Sequence, residues 1–160
     1  DDKDDYNLFY KGVTVCEEWL NFQNFASWCE TQPFFNAEDD EGRPYQLDKD
    51  VLVRGNKVYS PDTCCFVPHK VNTLLITCKA SRGEHPLGVT YSKRDKVYKA
   101  IISYNGKTHH LGQNKDVGKV FNFYKVAKEH HVKIVAGYWK GRIDDKVYQA
   151  LINYEVEITD

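Results

Sequence analysis

The chain has 160 residues, of which 41% are apolar and 28% charged, and a formal net charge of -1. This is ordinary for a soluble globular protein with room for one domain or two small ones. No apolar run approaches a membrane span and no signal peptide is visible, so membrane partners are not expected.

The near-zero total hides a strong asymmetry. Residues 1–85 hold 9 Lys/Arg against 15 Asp/Glu, residues 86–140 hold 11 against 3, and residues 141–160 hold 2 against 5. A basic block of that size is the electrostatic footprint of a polyanion binder, although a Lys-rich face is also compatible with plain solvation. The chain contains no Met, and its opening acidic run, residues 1–5, reads as a leader or a cloning remnant outside the fold. The five cysteines, Cys16, Cys29, Cys64, Cys65 and Cys78, are odd in number and lack the paired C-x-x-C spacing of a zinc site. They read as small buried thiols of a reducing compartment.

In chain order, residues 15–30 predict an amphipathic helix. Trp19, Phe22, Ala26 and Cys29 recur at three- and four-residue steps, Phe25 and Trp28 widen the stripe, and Glu17 and Glu18 suit the first turn. That stripe reads as core packing. Residues 31–45, with two Pro, a Gly and an acidic run, read as a loop. Residues 45–60 predict two short strands folded into a hairpin around Gly55-Asn56. After a turn at Ser60-Pro61-Asp62, residues 69–78 predict a short helix with Val71, Leu74, Leu75 and Cys78 inward.

Residues 79–86 read as a polar hinge, dividing the chain into domains at 10–80 and 86–160. Beyond it, strands are expected at 88–91, 97–104 and 108–112, with Asn105-Gly106 as a tight hairpin turn. A helix is expected at 116–131, with Val117, Val120, Phe121, Tyr124 and Ala127 on one face and His130-His131 answering the dipole at its end. Two further short helices are expected at 134–139 and 145–154, broken at Gly141. The expected fold class is α+β.

Two constellations carry chemistry. The first is Leu47-Asp48-Lys49-Asp50 at the end of a strand, followed by Gly55-Asn56-Lys57-x-Tyr59-Ser60-Pro61, Cys64, Phe66-Val67-Pro68 and Asn72 in a helix. Together with Val15-Cys16-x-x-Trp19-x-x-Phe22-x-x-Phe25, this resembles the HNH homing-endonuclease-like proteins of bacteriophages, in which a ββα-metal module holds a divalent ion against the scissile phosphate. The resemblance implies that Asp48 and Asn72 are ligands of a divalent metal, most naturally magnesium, and that Asp48, Lys49, Asp50 and Asn72 form the catalytic set. Lys49 stands where the family's general-base His belongs, and lysine does not serve as a base near neutral pH unless its pKa is lowered by several units. Asp50 is then a second ligand or a weak base, and His69 a substitute if the fold turns it inward. The plain alternative is structural: Asp48 and Asp50 brace the turn, and Asn72 bonds backbone at the helix start.

The second constellation is the basic three-stranded segment. Tyr98, Ala100, Ile102 and Tyr104 alternate with Lys99, Ile101 and Ser103 along its middle strand. A twisted sheet with such an edge can lie in a major groove and offer alternate side chains to bases and phosphates. Gly88-Val89, Tyr98-x-Ala100-x-Ile102, Leu111-Gly112 and Tyr124 resemble the Apetala-type (ethylene-response-factor) DNA-binding domain that recurs in phage HNH endonucleases, with Tyr98 at a position where plant domains carry Trp. That resemblance implies DNA contacts from Lys93, Arg94, Lys96, Lys99, Lys107 and His109. Among them Arg94 is the expected base reader, and the lysines hold phosphates.

The expected function is therefore a DNA-binding, metal-dependent phage endonuclease that cuts or nicks double-stranded DNA in the cytoplasm of an infected bacterial host. The alternative is a catalytically inactive relative that binds DNA as a regulator or inhibitor of a host system, and the acidic first half leaves room for a host-protein partner.

Overall fold

The structure, a computed structural model, describes residues 12–76 and 84–160. The fold is mixed α+β, the class the sequence predicts, with small sheets and four α-helices among the described residues. The chain divides into two compact units, Asp1–Ile76 with Ala136–Ile152 and Thr77–Val135 with Asn153–Asp160. The sequence reading kept 86–160 together, whereas Ala136–Ile152 groups with the first unit.

In the first unit, β1 (Thr14–Val15) leads into a 3-10 turn at Glu17–Leu20 and then α1 (Phe22–Thr31). The single helix expected over 15–30 is thus broken at Asn21. Its backbone is extended, and its side-chain carbonyl accepts from the Gln23 N–H at 3.0 Å, so it caps α1 rather than continuing a helix. The break lets Trp19 fold back onto Phe25 and Trp28, with ring centroids 5.0 and 4.6 Å away. Trp28 in turn meets Phe66. Of the stripe expected to be core, Trp19 and Cys29 are buried, Phe25, Ala26 and Trp28 are half-buried, and Phe22 stands 69% exposed.

The Gly55-Asn56 hairpin does not form. β2 (Gln46–Asp48) pairs antiparallel with β4 (Cys65–Val67), and β3 (Val58–Tyr59) pairs in parallel with β1. The reason lies in Asn56. Its Nδ2 donates to the carbonyls of Lys49 and Val58, and its Oδ1 accepts from the Val58 N–H, so it staples a long loop shut instead of turning a two-residue hairpin. Where a turn or loop was expected between the second strand and the helix, β4 intervenes, and α2 (His69–Leu74) follows it directly. α2 buries Val71 and Leu74 and is shorter than the predicted 69–78, with Leu75 as its C-cap. Cys78 lies outside the described residues. Cys29, Cys64 and Cys65 are buried free thiols, and Cys16 is half-buried.

The second unit is a three-stranded antiparallel sheet in the order β5 (Val89–Ser92), β6 (Val97–Tyr104), β7 (Lys107–Asn114). All three strands fall where alternation and turn residues predict them. Asn105 and Gly106 take φ of 51° and 71°, the backbone of a primed hairpin turn. Val89, Ala100 and Ile102 point to one face and pack with Val120, Phe121 and Tyr124 of α3 (Val117–Trp139) and with Val156. Gly88 lies so close beneath the Tyr124 ring that a Cβ would collide with it.

α3 runs unbroken to Trp139, which overturns both the helix end at 131 and a separate helix at 134–139. Nothing in 132–133 stops a helix: Val132 is fully buried, and no Gly or Pro intervenes before Gly137. Gly141, at φ 77°, makes the break, and α4 (Asp145–Ile152) follows with Val147 and Leu151 inward.

Candidate nucleic-acid interface and hydrolytic module

The register of the second unit decides which side chains share the open face. Ala100 and Ile102 face the helix, so Lys99, Ile101 and Ser103 face away. Their ladder partners complete the surface. Thr90 and Gln113 flank Lys99, His110 lies opposite Ile101, and Thr108 lies opposite Ser103, its Oγ1 2.8 Å from the serine Oγ. Thr90, Ser103, Thr108, His110 and Gln113 are exposed. Apart from Ile101, the open face is thus a polar strip with one lysine and one imidazole, the residue types that meet phosphates and base edges.

Lys93, Arg94 and Lys96 form the exposed loop between β5 and β6 at one end of this face, and Lys107 is exposed at the turn into β7. One acid organises the loop. Asp95 accepts from Arg94 Nε at 2.9 Å, Lys99 Nζ at 2.7 Å and Ser92 Oγ at 2.9 Å. The Arg94 and Lys99 bonds, in that order, hold its carboxyl far below the usual carboxylate range. The Arg94 side chain remains 89% exposed, so the ion pair orients the guanidinium without covering it.

His109 is not on the open face. It lies opposite Ile102, on the helix side, with its ring stacked on Tyr104 at 4.3 Å. Tyr104 also stacks on His131, with ring centroids 4.9 Å apart. His131 is therefore a mid-helix packing residue, not an answer to a helix-end dipole. Burial first, then the charge of Lys128 and His130, push its pKa down. His110 is the imidazole that shares the face with Lys99. Counting back from the Asn105-Gly106 turn pairs 109 with 102 and 110 with 101, so the signal was in the sequence. Asp95, too, was visible there as the lone acid among the loop cations.

In the first unit, Asp48 is buried, and its Oδ1 accepts the N–H groups of Asp50 at 2.9 Å and Val51 at 2.7 Å. Burial raises its pKa and the charge of Asp50 adds to this, against the pull of the two amides and Lys49. Lys49 is only 15% exposed; its ammonium lies 3.2 Å from Asp50 Oδ2 and 5.8 Å from the Tyr59 ring centre. Asn72 bonds a side chain, not backbone: its Nδ2 donates to Gln46 Oε1 at 2.7 Å. His69 Nδ1 lies 3.3 Å from the same oxygen. Gln46 and Asp48 are two residues apart on β2, so they share a face of that strand, the face on which α2 lies.

The module thus brings Gln46, His69 and Asn72 together, while Lys49 pairs with Asp50 and Asp48 closes the loop. No group of three His, Cys, Asp or Glu side chains gathers as a metal cage among the described residues. The oxygen donors, Asp48 Oδ2 and Asn72 Oδ1, are of the hard type that magnesium accepts, and that ion commonly takes one or two protein ligands and fills its shell with water and phosphate. Compared with models of known protein families, with curated proteins and with solved structures, the chain matches none.

Proposed function

We propose that this chain binds double-stranded DNA across the open face of β5–β7 and acts on it as an HNH-type endonuclease, cutting or nicking with a divalent cation in the cytoplasm of an infected bacterium. The observation that carries the reading is the sheet itself. One face is committed to Val120, Phe121 and Tyr124 of α3, and the other is a polar strip ending in a loop of three cations. Phosphates would meet Lys93, Lys96, Lys99 and Lys107, and Arg94, oriented by Asp95, has the planar fork that reads guanine.

Asp48 and Asn72 would hold the metal, which supplies charge stabilisation at the phosphoryl oxygen. The remaining work falls to the chain: Gln46 fixes the Asn72 amide, and the loop amides fix Asp48.

The test has two arms. Fluorescence anisotropy on duplex oligonucleotides should show an affinity that falls by roughly three orders of magnitude between 50 and 200 mM salt if about six phosphates are engaged. A plasmid-relaxation assay with magnesium should show cutting by the wild type and none by Asp48→Asn. That variant keeps Oδ1 for the two loop amides and loses only the charge. No affinity for duplex even in dilute buffer refutes the whole reading.

A second reading is favoured by one observation. Lys49, at the position of the family's base, is tied to Asp50. On that reading the chain grips DNA without cutting it and regulates or blocks a host system. Tight duplex binding with no relaxation by any divalent ion would select it.

A further inference from the structure

We propose that His69 is the proton acceptor of the hydrolytic module and that Gln46 is the positioning residue that fixes it in the required tautomer. The inference rests on the reading that this module hydrolyses phosphodiesters.

The argument starts from one oxygen. Gln46 Oε1 lies 2.7 Å from Asn72 Nδ2 and 3.3 Å from His69 Nδ1. An amide oxygen carries no hydrogen, so both neighbours must donate to it. The proton of the neutral His69 imidazole therefore sits on Nδ1, and Nε2 keeps its lone pair. Asn72 gives its Nδ2 hydrogen in the same way, leaving Oδ1 as the acceptor. A single side chain thus sets the orientation of two.

Placement supports the role. His69 and Asn72 are three apart on α2 and emerge on one side of it. Gln46 and Asp48 share a face of β2, about 7 Å apart along the strand. Because Gln46 bonds both α2 residues, the basic Nε2, the Asn72 carbonyl and the Asp48 carboxylate all belong to the face between β2 and α2. Lys49, by contrast, is held by Asp50 and offers an ammonium with no lone pair. His69 is half-buried, which shields the imidazole from bulk water without closing it off.

The step balances with water as the only co-reactant beyond the phosphodiester. The water oxygen forms a bond to phosphorus as its proton passes to His69 Nε2. The P–O3′ bond breaks, and the departing oxygen takes a proton from solvent. His69 then returns its proton to bulk water.

The experiment uses the full chain. In metal-free protein, long-range 1H–15N correlation of the His69 ring reads the tautomer directly. Nδ1–H is expected in the wild type, with a shift towards Nε2–H in Gln46→Leu. With magnesium, His69→Gly should relax plasmid roughly 10²–10⁴-fold more slowly, hold duplex DNA as tightly as the wild type, and recover part of the rate when free imidazole is added. His69→Gln, which retains bulk at the helix start, should lose the same rate without imidazole rescue. Wild-type rates in both His69 variants, or an Nε2–H tautomer in the wild type, overturn the assignment while leaving the nuclease reading intact. A wild type that relaxes no plasmid with any divalent ion defeats the nuclease reading, and the role of His69 falls with it.

Discussion

Replacing Gly88 by alanine tests the seat of the three-stranded sheet. Gly88 sits at φ 72°, a backbone region that costs an L-residue about 1–2 kcal/mol. The new methyl would also drive into the ring of Tyr124, which is 94% buried by the complement of its 6% exposure and cannot swing aside without disturbing Val120 and Phe121. Overpacking of this kind costs about 1–3 kcal/mol. The expected loss is therefore about 2–5 kcal/mol, a large share of the stability of a small unit. Gly106→Ala is the control, because its φ is 71° but its Cβ would meet nothing within 4 Å. It should lose only the backbone part. Native-state amide exchange of β6 in the two variants reads the difference. Equal losses would refute the close seating of the strand start on Tyr124, and with it the account of how the sheet is aimed.

Asp95→Asn should tighten duplex binding, since the carboxylate beside Arg94 and Lys99 loses its charge; an unchanged affinity in an anisotropy titration would show that neither reaches DNA. His110→Ala should weaken duplex binding with little change in melting temperature, whereas His109→Ala should lower melting through the lost Tyr104 stack and leave the salt slope alone; the reverse pattern contradicts the register. Acid should loosen the first unit. Asp40 is held below the usual range by the hydroxyl of Tyr138 and by Arg142, and Asp39 by the Arg43 and Glu41 amides and the Arg43 guanidinium, which outweigh its burial. Depressed carboxyls stabilise above the unfolded value near about pH 4 and lose that contribution as pH falls. Thermal melting between pH 6 and 3 in an Asp48→Asn background, free of that opposing raised carboxyl, should show the decline, and Asp40→Asn should flatten it.

The second unit was legible because its signals are local. Strict alternation and an Asn-Gly turn fix strand positions, partners and faces within a few residues of one another. The first unit was less so. Its strands are two or three residues long and pair across the sequence, so Asn56 looked like a turn residue when its amide in fact closes a loop onto Lys49 and Val58. Asn21 fell inside the single helix expected over 15–30, when it caps α1. At the candidate site Asp48, His69 and Asn72 stood out in the sequence, but Gln46 did not. Its importance comes from one carbonyl oxygen reaching two residues of a helix more than twenty positions away.

The path of the chain carries a last consequence. It passes from one compact unit to the other after Ile76, again after Val135 and again after Ile152. Val156, which completes the core behind the sheet, arrives only after the last of these passages, and its carbonyl and amide are gripped by Lys125 and Glu129. Trp139 and Leu151, both fully enclosed, return to the first unit from far down the chain. Each unit is thus assembled from two separate stretches of sequence, so a single genetic crossover cannot transplant either one whole. Grafting the sheet onto a new partner requires carrying two separate stretches of sequence.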